Sequence, residues 1–171
     1  MNTYIALLRA VNVGGTGKLP MADLKTMCLD IGFAQVQTYI ASGNVVFQSA
    51  LSEPKVKAAL EAKLHSYAGK PVGVHIRSTA QMQAVRDGNP FLKEASNRVM
   101  AIFLDAPADK AMLTGISGQK DEHIALGLNE IYVHYGEGMA QSKLKIPTAK
   151  TGTARNMNTI AKLVEMAFAI K

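Results

Sequence analysis

Tryptophan is absent from this chain, and aromatic residues make up only 6% of it. A single-stranded nucleic-acid platform draws on stacking rings, so the composition counts against that class without closing it. Cys28 is the one cysteine, which excludes an intrachain disulfide and gives no sign of secretion. Its place on the apolar face of an expected helix marks it as a buried thiol rather than a nucleophile. No run reaches the roughly 18 apolar residues of a membrane span. Arg9 interrupts the first apolar run and no small-residue cleavage site follows it, so no signal peptide is read. The expectation is a cytoplasmic protein with no membrane partner. His65, His75, His123 and His134 show no metal-ligand spacing, and no close carboxylate pair suggests acid–base work. No metal, cofactor or catalytic residue is therefore assigned.

Acidic residues are missing unevenly. The net charge is +6 over 171 residues, yet residues 1–22 and 138–164 contain no Asp or Glu. The second stretch carries Lys143, Lys145, Lys150, Arg155 and Lys162. An excess of this kind favours anionic partners, and a solvated basic face without a partner fits it equally well.

Residues 3–11 read as an apolar strand that runs into a loop with three glycines, Gly14, Gly15 and Gly17. Pro20 opens a helix with Met21, Leu24, Met27, Cys28 and Ile31 on one face, closed by Gly32. Residues 36–41 and 45–47 form a hairpin around Ser42-Gly43-Asn44. A second helix follows Ser52-Glu53-Pro54 and ends before Gly69, and residues 71–76 give a fourth strand. This β-α-β-β-α-β order is that of a ferredoxin-like split βαβ unit. A short helix over 79–86 leads to a linker at Gly88-Asn89-Pro90. Beyond it come a strand (98–105), a short helix (108–116), a hairpin around Asn129-Glu130, a short helix (139–146) and a closing helix (154–170). The closing helix has Met157, Ile160, Ala161, Val164 and Phe168 on one stripe. The fold class expected is α+β, with two ferredoxin-like subdomains, 1–78 and 79–171, the second lacking an obvious final strand.

Three stretches hold the candidate binding groups. The glycine loop resembles a phosphate-binding turn, with Arg9, Asn12 and Lys18 beside Gly14 and Gly15. It fails the P-loop pattern twice, at Asn12 and Leu19, and GxGxxG as well; a strain-relieving connection explains its glycines equally. Thr153 reads as the N-cap of the closing helix. That places Arg155 in the first helical turn, where the dipole disfavours a cation by roughly 0.3–1 kcal/mol. An anion or a distant carboxylate would offset this, with Asn156 and Asn158 adjacent. Ser42 and Asn44 are mainly turn-formers.

Tyr4-Ile5-Ala6-Leu7-Leu8-Arg9, then Asn12-Val13-Gly14-Gly15 and Met21-Ala22-Asp23-Leu24, form a recognisable series. Gly32-Phe33, Tyr39 to Phe47, and Thr153-Ala154-Arg155-Asn156-Met157-Asn158-Thr159 continue it. Together these resemble the uncharacterised bacterial family known as domain of unknown function 1697. Met157 departs from the aromatic expected there. The resemblance implies two ferredoxin-like subdomains and supplies no activity. The function expected is binding of a small phosphate- or carboxylate-bearing ligand at the glycine loop, next to the arginine-bearing helix N-terminus. Alternatives are a nucleic-acid-binding module, or a homodimeric interaction protein without a small ligand.

Overall fold

The computed structural model describes residues 1–13 and 17–170. Two units emerge, Met1–Met82 together with the chain from Leu163 onward, and Gln83–Lys162. In the first unit the strands are β1 (Asn2–Leu8), β2 (Ala34–Tyr39), β3 (Asn44–Ser49) and β4 (Val74–Ser78). The helices α1 (Met21–Ile31) and α2 (Glu53–Ala68) join them. Strand order is β2-β3-β1-β4, antiparallel throughout, the wiring of a split βαβ unit.

Alternation along β1 explains the layers. Tyr4, Ala6 and Leu8 share a core with Val45, Phe47, Val74 and Ile76, and α1 and α2 cover it with Leu24, Met27, Cys28, Val56, Leu60 and Leu64. Phe33 stacks on Phe47 with centroids 4.2 Å apart. The register puts Ile5, Leu7, Val46, Asn44, His75 and Arg77 on the opposite face, and all six are buried. A strand buried on both faces accounts for the nearly unbroken apolar run of β1. Both helices end as their glycines dictate, with Gly32 at φ +98° and Gly69 at φ +71°.

Helix α3 (Thr79–Asp87) follows β4 and is closed at its start by a reciprocal pair. Gln81 N donates to Ser78 Oγ at 3.1 Å, and Ser78 N donates to Gln81 Oε1 at 2.8 Å. The second unit contains β5 (Val99–Phe103), β6 (His123–Leu126), β7 (Glu130–His134) and β8 (Thr153–Asn156), and α4 (Met157–Ala169) begins in it. Its order, β6-β7-β5-β8, repeats that of the first sheet. The final strand that the sequence leaves unmarked is thus β8. The helices expected over 108–116 and 139–146 are corrected to short 3₁₀ turns, Lys110–Leu113 and Met139–Gln141. Their apolar residues reach the core without a longer helix: Ala108, Met112, Ile116 and Leu144 pack beside Ile102, Leu104, Ile131, Val133 and Ile146. The stripe of α4 holds at Met157, Ile160 and Val164 and is corrected at its other two positions. Met157, Ile160, Leu163, Val164 and Ala167 are buried, while Ala161 and Phe168 are exposed.

Two outcomes follow. At Gly43, φ is +90°, and a Cβ would lie 2.7 Å from Val11 Cγ2 and 2.9 Å from Leu8 Cβ. Gly43→Ala should destabilise the protein by about 2–4 kcal/mol, the sum of a positive-φ penalty and overpacking, read as a lower denaturant midpoint. Cys28 is fully buried, and burial pushes its thiol up to about 12. Because the folded value lies above the ordinary one, this favours folding below the usual thiol range and is lost as pH rises through about 12. Ellman's reagent at pH 8 should leave Cys28 unmodified in the native protein and react with it fully in denaturant.

Candidate functional site

The end of β1 builds the site. Antiparallel pairing brings the exit of β1 to the entrance of β4, with Leu8 opposite Val74. Arg9 N then donates to Gly73 O at 2.9 Å, and Leu8 N to Gly43 O at 2.8 Å. Past Arg9 the backbone turns through left-handed conformations at Ala10 (φ 54°) and Asn12 (φ 55°), and Ile40 across the way has φ 50°. Such conformations cost of order 1–3 kcal/mol each in non-glycine residues and persist only where surrounding structure enforces them.

Asn12 does the enforcing. Its Nδ2 donates to Leu19 O and to Ala41 O, both at 2.8 Å, and its Oδ1 accepts from Leu19 N at 2.6 Å. One side chain therefore closes the β1–α1 connection and ties it to the β2–β3 turn. Asn44 plays the matching part inside that turn, donating to Tyr39 O and Ser42 Oγ at 2.9 Å. Ser42 and Asn44 thus serve the turn, as residues of that type do.

Two cavities adjoin across Gly17-Lys18-Leu19. The first, about 430 Å³, is lined by Arg9, Lys18 and Lys70 together with apolar walls from Val11, Leu64 and Val72. Among its described lining residues there is no acid. The second, about 630 Å³, is lined by Asn12, Val13, Pro20, Met21 and Ala41. Of the residues singled out in sequence, Arg9, Asn12 and Lys18 come together here. Gly14 and Gly15 lie outside the described residues. Lys70 is the member that sequence reasoning missed. Its signal is topological: it stands between the helix-ending Gly69 and Pro71, just before β4, so antiparallel pairing returns it to the end of the sheet that holds Arg9. Beyond the C-terminus of α2 a cation is also favoured by the helix dipole. Tyr67, half exposed, lines the same cavity and donates its hydroxyl to Asp23 Oδ2 at 2.8 Å. That bond raises the Tyr67 phenol above its ordinary value.

The arginine expected at a helix N-terminus is corrected. Arg155 lies in β8, paired with Ala101 of β5, and α4 starts only at Met157. The helix cap is Asn156, whose Oδ1 accepts from Thr159 N at 2.9 Å. The extended stretch wins because it completes the second sheet, which leaves the dipole argument for an anion at Arg155 without its premise. Arg155 is 6% exposed, and its Nη1 donates to Thr153 Oγ1 at 2.8 Å and to Ala154 O at 2.9 Å. Burial lowers its guanidinium to about 10, so it remains charged at neutral pH. Arg77 in β4 repeats the arrangement: it is buried, stands one residue before a helix cap and donates Nη1 to Ile76 O at 2.9 Å. Asn158 Oδ1 accepts from Ser96 Oγ at 2.6 Å, and Met157 is a buried position. Arg155, Asn156 and Asn158 belong to the second unit and are not among the residues described as lining either cavity. Among the described residues no group of three His, Cys, Asp or Glu is placed to hold a metal, and no helix is long and apolar enough to cross a membrane.

Replacing Arg155 with Ala removes a buried side chain together with its bonds to Thr153 and Ala154. We expect a loss of about 2–4 kcal/mol in urea unfolding; a change within 0.5 kcal/mol, the scale of a surface substitution, would contradict this structural role.

Among curated proteins none matches the chain. Among solved structures it is similar to the conserved bacterial protein SP0830 from Streptococcus pneumoniae, at 25% identity and a TM-score of 0.79. The match covers 97% of this chain and 98% of that one. Residues 1–132, which hold the whole first unit up to Met82 and both cavities, match the profile of a family described as protein of unknown function (DUF1697), and the chain belongs to that family.

Proposed function

We propose that the protein binds a small organic or inorganic anion, bearing phosphate or carboxylate, in the cavity at the end of β1. One observation carries the reading. Three cations from three separate segments, Arg9 after β1, Lys18 before α1 and Lys70 after α2, line one cavity with no acid among its described lining residues. Like charges gathered around a concave surface repel one another, and an anion between them turns that repulsion into attraction. Arg9 supplies a planar fork suited to two carboxylate or phosphate oxygens, and the lysines supply point charges. The strained backbone at Ala10 and Asn12 fits a segment held in place for binding.

Calorimetric titration with inorganic phosphate and with citrate at low salt is the test. Binding is expected, with Arg9→Ala and Lys70→Ala each weakening it by roughly tenfold or more, as loss of a charge-assisted hydrogen bond implies. Absence of heat with both anions, or full affinity in both variants, would refute the reading.

A further inference from the structure

The cavity is larger and more apolar than an inorganic anion needs, and its walls define the rest of the ligand. At about 430 Å³ it falls within the range of pockets for organic ligands. Its cations are carried on exposed residues, Arg9, Lys18 and Lys70, whereas Val11, Leu64 and Val72 contribute apolar wall that is buried or half buried. Beside them lies the Tyr67 ring, 47% exposed and fixed at its far end by the hydroxyl bond to Asp23 at 2.8 Å. A phenol held at its hydroxyl gives up little further freedom when a flat group lies against it. A hydrated phosphate would meet only the cations and leave this wall in water.

Resting on the anion-binding reading, we infer that the ligand is an aryl-bearing anion. Its phosphate or carboxylate head meets Arg9, Lys18 and Lys70, and its flat apolar body lies against Tyr67, Val11 and Val72. The second cavity, with Val13, Pro20 and Met21, continues apolar wall beyond Lys18 and offers room for a substituent on the ring.

Phenyl phosphate and inorganic phosphate, titrated side by side, test this. Phenyl phosphate should bind about tenfold more tightly, the equivalent of partly burying one ring. Tyr67→Ala should bring the ratio of the two affinities close to one. Tyr67→Phe, which keeps the ring and loses the bond to Asp23, should retain most of the ratio. Circular dichroism and melting temperature verify that both variants are folded, as the exposure of Tyr67 leads one to expect. Equal affinities for the two phosphates in the parent protein would overturn the aryl inference while leaving anion binding intact. So would an unchanged ratio in folded Tyr67→Ala. Failure of both phosphates to bind would overturn the aryl inference, and failure of citrate as well would overturn the anion reading with it.

Discussion

The side-chain amide of Asn12 is the bond set on which the first unit's working end depends. It satisfies both backbone groups of Leu19 and the carbonyl of Ala41, so the β1–α1 connection is closed on itself and tied to the β2–β3 turn. Removing it would leave polar backbone unsatisfied on two loops and free the left-handed Ala10 and Asn12 to relax. The cavity walls come from the residues this connection positions. Arg9 leaves β1 in a direction set by Gly73, Val11 is pressed inward against the place where Gly43 has no Cβ, and Lys18 adjoins Leu19, which the amide grips. Asn12 is therefore a scaffold for the cations rather than a rival to them.

Each unit uses the same strand order and ends its fourth strand the same way, with a buried arginine one residue ahead of a polar helix cap. The repeat lies in wiring and register rather than in sequence, since Ser78 and Asn156 share a capping role but not an identity, and helices in the first unit are 3₁₀ turns in the second. What the two halves keep in common is what the sheet demands: a cap that stops the strand, and an apolar central strand with both faces covered. The buried arginines donate to their own strand, which keeps them hydrogen-bonded where water is scarce.

The elements marked by strong local chemistry were legible in the sequence. Gly32 and Gly69 announce helix ends, Ser42-Gly43-Asn44 a tight turn, and the apolar run of β5 a buried strand. Arg9 and Lys18 were legible as candidate cations because they flank a glycine loop. Thr153 to Asn156 was misread because Thr, Ala, Arg and Asn suit a helix start as well as a short edge strand, and only pairing with β5 decides between them. The apolar stripe of α4 was legible at Met157, Ile160 and Val164, whereas Ala161 and Phe168 satisfy helical spacing without saying which side is covered. Lys70 was invisible locally, and Tyr67 reads by its spacing as part of the buried face of α2, where the structure leaves it half exposed. Their role comes from the antiparallel pairing of β1 with β4, a long-range fact that no window of neighbouring residues contains.

The proposed anion would sit among the cations at the end of β1. Crystals grown without phosphate or sulfate and soaked in tungstate would locate it directly by anomalous scattering. A peak is expected within contact distance of the Arg9 guanidinium and of at least one of Lys18 and Lys70. Tungstate sites confined to other surfaces, with none in this cavity, would contradict it.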